Sequence, residues 1–258
     1  MHERHTDNGG HDPLSPAVPG VDRDPTHPVW FSQQAAMALL TRYTTIQGYS
    51  SLLERVVARD PLDPAQVTRY TEALAHQVGD LGRFLEQYLQ AVQLQSGLVA
   101  LSRRPVGLAE LFRVVQAGCA NLSECSDRHI LDVASANAIT GQWDPHWVVA
   151  ALTAIVSNAM KFTPDGGTIQ MQVQRQGETA VVTVTDPGRG IQVDERERIF
   201  LPFVRGRAVD GTIPGWGLGL FIADGAVRAH GGAIDLASTP GAGTTVTIRL
   251  PLQSGVVA

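Results

Sequence analysis

Four short segments in the second half of the chain carry residues suited to binding a nucleotide. The first is Asn158-Ala159-Met160-Lys161-Phe162, at the end of an apolar-periodic helix. An Asn amide oxygen can take one place on Mg²⁺, which prefers oxygen ligands and keeps several waters. A Lys beside it meets phosphate as a point charge. The second is Asp186-Pro187-Gly188-Arg189-Gly190-Ile191, directly after a strand. An Asp at a strand end can accept a hydrogen bond from an adenine amino group, and the glycines let the backbone turn beneath a ring. The same letters also write an ordinary Asp-Pro-Gly turn. The third is Ile199-Phe200-Leu201-Pro202-Phe203-Val204-Arg205, after the charged run 194–198. The fourth, Gly215-Trp216-Gly217-Leu218-Gly219-Leu220, opens a helix, where free backbone N–H groups favour an anion. Between the last two, Gly206, Gly211 and Pro214 have the composition of a mobile loop over a ligand.

Composition narrows the setting. The chain has 258 residues, enough for two small domains with proper cores. Hydrophobic residues at 43% against charged residues at 17% predict folding rather than disorder. A net charge of −5 argues against general nucleic-acid binding. No apolar run approaches the ~20 residues that span a bilayer, and the first residues lack the apolar core of a signal peptide. The expectation is a cytoplasmic protein that enters no membrane. Cys119 and Cys125 are too few for a disulfide framework and read as free thiols. Of the 20 basic residues only Lys161 is lysine, which hints that a compact ammonium is wanted there.

The elements that must position these segments follow from periodicity. Residues 1–28 read as a disordered tail, since they are rich in Gly, Pro, Asp and His. Leu39, Tyr43, Ile46, Leu53 and Val56 step as one face of a helix. Asp63 then caps a second helix with Pro64 at its first position. That helix carries a near-heptad apolar series from Val67 to Val92 and so wants a partner. Two such hairpins would close a four-helix bundle, predicting a homodimer through residues 29–102. The alternative is a hairpin that packs on its own C-terminal domain. Residues 103–254 alternate helices and strands. Helices are expected over 108–125, 145–162 and 218–229. Strands are expected near 129–134, 168–174, 180–185, 233–237 and 244–250, with turns at Gln176-Gly177 and Thr239-Pro240-Gly241. The fold class is α+β: a helical hairpin, then an α/β sandwich with helices on one face of a mixed sheet.

In order and spacing, the four segments resemble the nucleotide-binding boxes of histidine protein kinases, within the GHKL ATPase superfamily. The resemblance runs from about residue 105 to Pro251. It extends to the closing segment, Ala229-His230-Gly231-Gly232 and then Ser238 to Thr245. The hairpin is similar to that family's dimerisation and phosphoacceptor domain. The resemblance implies ATP and Mg²⁺ as ligands, with Asn158 holding Mg²⁺ and Lys161 and Arg205 facing the phosphates. It implies Phe162 beside the nucleotide, Asp186 on adenine, and Gly188 and Gly190 shaping that wall. Gly215, Gly217, Leu218, Gly219 and Thr244 complete the implied ATP-binding set. His230 reads as structural.

The sequence departs from the family at the first helix. Where the family has a His-Glu-Leu-Arg-Thr-Pro pattern, this chain reads Met37-Ala38-Leu39-Leu40-Thr41-Arg42. A thioether accepts no phosphoryl group here and a methyl group takes no proton. Self-phosphorylation at the usual position is therefore expected to be absent. Ala154 stands where the family usually has a second Asn, on the face of Asn158. Thr41 remains at a position used by some members to dephosphorylate a partner, and His76 in the second helix is an alternative acceptor. The leading expectation is an ATP-binding, histidine-kinase-like regulator in a two-component-type pathway, meeting a response regulator or another kinase. The alternatives are a kinase acting in trans, a response-regulator phosphatase, or an adaptor with a relic site.

Overall fold

The computed structural model describes residues 28–59, 63–97, 99–120, 130–134, 139–206 and 215–253. Residues 1–27 of the expected tail, Gly211 and Pro214, residues 121–125 of the third expected helix and residue 129 of the strand expected after it lie outside them. Pro28, assigned to the tail, instead opens the first helix.

Helix α1 (Pro28–Val57) and helix α2 (Pro64–Gln95) form the hairpin. The threonines of α1 have modest helix propensity, but their hydroxyls turn back into the helix. Thr41, Thr44 and Thr45 donate to the carbonyls of Met37, Leu40 and Thr41, each at 2.9 Å. Asp63 caps α2 as its chemistry requires, accepting from the amides of Ala65 at 3.0 Å and Gln66 at 3.3 Å, with Pro64 at the first helical position. Gly97, at φ +67°, ends the helix in the left-handed conformation glycine favours.

Strand β1 (Arg104–Gly107) pairs antiparallel with β3 (Thr140–Trp143) as a small separate sheet. The sequence reading had neither strand. Each has four residues and includes Gly, and β1 also includes Pro, so no alternation develops. Helix α3 (Leu108–Ala120) follows β1 directly. The main sheet has the order β2-β4-β5-β7-β6. Its strands are β2 (Ile130–Ala134), β4 (Thr168–Gln176), β5 (Thr179–Asp186), β6 (Ala233–Thr239) and β7 (Gly243–Pro251). Only β2 and β4 run parallel, so the sheet is mixed, as expected.

Helix α4 (Pro145–Phe162) and helix α5 (Gly219–Ala229) cover this sheet together with α3. Ala151, Leu152, Ile155, Val156, Ala159 and Met160 of α4 are buried against Ile169 and Met171 of β4 and against Val182 and Val184 of β5. The intervening polar positions of β4 stay exposed, giving the in–out alternation of a one-faced sheet. A second, smaller core joins the hairpin to the α/β domain. Phe31, Ala35, Phe84 and Ala91 are buried with Leu218 and Ile222 at the start of α5. Within one chain, then, the hairpin rests on the α/β domain. Met37, Leu40 and Tyr43 of α1, with Val78, Leu85 and Leu89 of α2, remain exposed.

Candidate nucleotide site

The register of two neighbouring strands builds one wall of a cleft. In β5, Ala180, Val182, Val184 and Asp186 fall in one row, because alternate side chains share a face. In β7, Thr244, Val246, Ile248 and Leu250 form the matching row, and Asp186 pairs with Thr244 across the ladder. The row that buries valines therefore ends in a carboxylate only 8% exposed. The Gly188 amide donates to Asp186 Oδ1 at 2.9 Å. Burial pushes the Asp186 carboxyl above its ordinary value of 3.8, while hydrogen bonds from the backbones of Gly188 and Thr244 pull the other way.

The second wall is the outward stripe of α4. Ala154, Asn158 and Lys161 lie on the face opposite its buried side, at the three- and four-residue steps of one helix. Helix α5 begins against this stripe: a Cβ on Gly219 would lie 3.5 Å from Ala154 Cβ and 4.0 Å from Asn158 Nδ2. The unpaired backbone N–H groups of a helix start thus sit beside the Asn amide. Phe162, the last residue of α4, carries the Arg189 guanidinium over its ring at 4.7 Å.

Two backbone ties hold the loops around the cleft. The Gly241 amide donates to the Arg189 carbonyl at 2.7 Å, and the Ile191 amide donates to Ser238 Oγ at 2.9 Å. Between them Gly190 sits at φ +70°, where a Cβ would overlap the Thr239 carbonyl. Gly190→Ala is expected to cost at least about 1–3 kcal/mol from the backbone conformation alone, read as a lowered urea midpoint with unchanged slope. On the other side the Phe203 amide, at φ +60°, donates to the Gly217 carbonyl at 2.9 Å and fixes the glycine loop to the preceding segment.

The resulting cleft has a volume of about 460 Å³, within the range of small-molecule sites. Of the residues singled out from sequence, Asn158, Lys161, Phe162, Asp186, Gly190, Arg205, Gly215, Gly217, Gly219 and Thr244 line it. Leu218 does not: its side chain is wholly buried with Phe31 and Phe84 under the hairpin. Gly188 lies beneath Asp186, where a Cβ would come 2.5 Å from its Oδ1. Met37 is 58% exposed on α1, and neither it, Ala38 nor Thr41 lines the cleft. His76 is half exposed, with Nδ1 3.5 Å from Asp80 Oδ2. His230 is buried and structural: its Nδ1 bonds the Ala226 carbonyl at 2.7 Å and its Nε2 accepts from the Asp144 amide at 3.0 Å. Burial lowers its pKa, and the contact ties α5 to the cap of α4.

Sequence reasoning gave no role to the hairpin residues that line the same cleft, among them Arg42, Asp80 and Arg83. Asp80 accepts from Arg42 at 3.2 Å and also from Arg83. Trp216, between two of the glycines, lines the cleft as well. An aromatic residue inside a glycine-rich turn was the one available signal. Among the described residues, no three His, Cys, Asp or Glu side chains gather as a metal site. Asn158 brings an amide oxygen to the cleft, a ligand type that Mg²⁺ accepts while it keeps several waters and binds nucleotide phosphates. No helix among the described residues is long and apolar enough to cross a membrane.

Residues 143–254 match the family of histidine kinase-, DNA gyrase B-, and HSP90-like ATPases. The circadian input-output histidine kinase CikA of Synechococcus elongatus is 31% identical over 219 residues, covering 84% of this chain and 29% of its own. The sensor protein DivL of Caulobacter vibrioides is 31% identical over 230 residues, covering 86% and 28%. The sensor-like histidine kinase SenX3 of Mycolicibacterium smegmatis is 28% identical over 213 residues, covering 79% and 53%. The chain thus spans from under a third to about half of these relatives. Among solved structures, the mycobacterial sensor histidine kinase MprB matches at 28% identity and a TM-score of 0.50, over 59% of this chain and 99% of its own. The Acinetobacter baumannii histidine kinase AdeS matches at 18% identity and a TM-score of 0.63, over 83% and 97%. The latter likeness covers hairpin and α/β domain together and shows the shared fold.

Proposed function

We propose, for a chain whose residues 143–254 match the histidine kinase-, DNA gyrase B- and HSP90-like ATPases, that it binds Mg-ATP and signals without phosphorylating itself on the first hairpin helix. The observation that carries this reading is the convergence of Asp186, Asn158, Lys161, Arg205 and the 215–219 glycines on one cleft. Asp186 accepts the adenine amino group. Asn158 holds Mg²⁺, which would neutralise phosphate charge there. Lys161 and Arg205 meet the phosphates, and the start of α5 presents N–H groups to them. Phe162 and Gly190 flank the base. Residues 103–254 act as the ATP-binding unit and 29–102 as the dimerisation unit, two hairpins burying the exposed stripe of Leu40, Tyr43, Leu85 and Leu89.

Met37 and Ala38 supply neither a phosphoryl acceptor nor a base. Thr41 donates its proton to the Met37 carbonyl. The function that remains is regulatory: a nucleotide-dependent partner in a two-component-type pathway, acting on a response regulator or pairing with another kinase. Transfer in trans to a partner is the second reading, favoured by the complete set of phosphate-facing side chains in the cleft.

The test is incubation of the full chain with γ-labelled ATP and Mg²⁺ beside His76→Ala. Binding without label on the chain is expected. An acid-labile, base-stable label that disappears with His76 would make the protein a self-phosphorylating kinase with a displaced acceptor. A separate prediction concerns the lone lysine. Lys161→Met removes one charge-assisted phosphate contact, a loss of about 1.5–3 kcal/mol. It is expected to weaken ATP at least tenfold while leaving adenosine affinity within about twofold, as read by calorimetric titration of both ligands.

A further inference from the structure

The glycine loop that borders the cleft is not held by its own domain alone. Trp216 stands between Gly215 and Gly217. Its ring lies 4.6 Å from that of Phe84, centroid to centroid, and the Arg42 guanidinium sits 4.5 Å above it. Both partners come from the hairpin, one from each helix. Neither is loosely placed. Phe84 is wholly buried, and Arg42 Nη1 also donates to Gln77 at 2.9 Å and to the buried Asp80 at 3.2 Å. A loop rich in glycine has more backbone freedom than any other sequence, so ordering it for phosphate carries an entropic cost that an external grip can meet beforehand.

The geometry points to Trp216 as the element through which the hairpin sets nucleotide affinity. This rests on the reading above that residues 215–219 meet the phosphates. Arg42 and Phe84 hold the indole, the indole holds the loop in its binding shape, and the hairpin and the nucleotide stabilise one another. By linkage, whatever tilts the hairpin off Trp216 weakens ATP, and ATP strengthens the docking of the hairpin by the same factor. Arg42 and Phe84 are thus positioning residues for a ligand they need not touch.

A double-mutant cycle on the full chain tests this with the fluorescent nucleotide MANT-ATP. Arg42→Met leaves Asp80 paired with Arg83 and is expected to weaken binding about tenfold, within the usual span of coupling factors. Trp216→Leu is expected to weaken it at least as much, and the double variant no further than Trp216→Leu alone. Hydrogen exchange reads the reciprocal arm: MANT-ATP should slow exchange around residues 40–46 and 80–88 in the native chain but not in Trp216→Leu. Where Arg42→Met fails to fold, Arg42→Lys keeps a cation near Asp80 without the stacking plane, and a loss of about threefold or more is expected. Native affinity in the Arg42 variants, or fully additive losses, overturns the clamp and leaves ATP binding standing. A native chain that binds no MANT-ATP overturns the ATP reading itself.

Discussion

Asp186→Asn is expected to lower ATP affinity by about one to two orders of magnitude while leaving the fold intact. The asparagine keeps the shape of the side chain and one oxygen to accept the Gly188 amide, now 2.9 Å from Asp186 Oδ1. It replaces the other oxygen with a donor, which meets the adenine amino group donor to donor. Losing a hydrogen bond to a charged acceptor costs about 1.5–3 kcal/mol, or about 10- to 150-fold. Calorimetric titration gives the affinity, and a thermal melt should stay within a few degrees of native. Unchanged affinity would remove Asp186 from base recognition. The same group makes a pH prediction. Its carboxyl is pushed above 3.8 by burial, so its contribution to stability is full below the unfolded value and is lost as pH rises through the folded one. Affinity runs the opposite way, since only the ionised form is a pure acceptor, and ATP binding should fall as pH drops through that raised value. The Asn variant should abolish both slopes.

Trp143→Ala is expected to be the most damaging single truncation outside the site. The side chain is 1% exposed at the end of β3, and its indole N–H donates to the Pro251 carbonyl at 2.7 Å. Removing a buried Trp costs about 3–5 kcal/mol in transfer and cavity terms. At about 2–4 °C per kcal/mol for a chain of this size, the melting temperature should fall by roughly 10 °C. Trp143→Phe should recover most of the packing term but not the hydrogen bond. A fall of under about 2 °C in the Ala variant would show that the small sheet contributes little to the domain.

What the sequence disclosed, it disclosed where the physics is local. Asp63 and Pro64 announce a helix start because the cap and its two amides lie within three residues. Helix α4 was bounded to the residue by Pro145 and by the end of its apolar period at Phe162. Strands β4 and β5 were legible through alternation, and their extra residues at the turn were not. Strands β1 and β3 escaped because pairing Val106 with Gly141 spans a whole helix and strand of intervening chain. The site followed the same division. Asn158, Lys161, Asp186 and the glycines are visible as local patterns, and all of them but Gly188 line one cleft. No local pattern shows that Leu218 is buried under the hairpin, because its neighbours Phe31 and Phe84 lie more than a hundred residues earlier. For the same reason nothing in the sequence marked Arg42 as reaching Trp216.

Helix α2 bears on the domain at Phe84, Tyr88, Ala91 and Leu94, and from Phe84, the outermost of these, it runs to its far end at Pro64. The 20 residues between them make an arm of about 30 Å at 1.5 Å per residue. Turning this arm by about 5° about the Phe84 contact sweeps the Pro64 end through roughly 2.6 Å, by the same helical rise. Sub-ångström adjustments where the indole is gripped are thereby enlarged at the tip of the hairpin, and a push at the tip is reduced, with greater force, where it reaches the glycines.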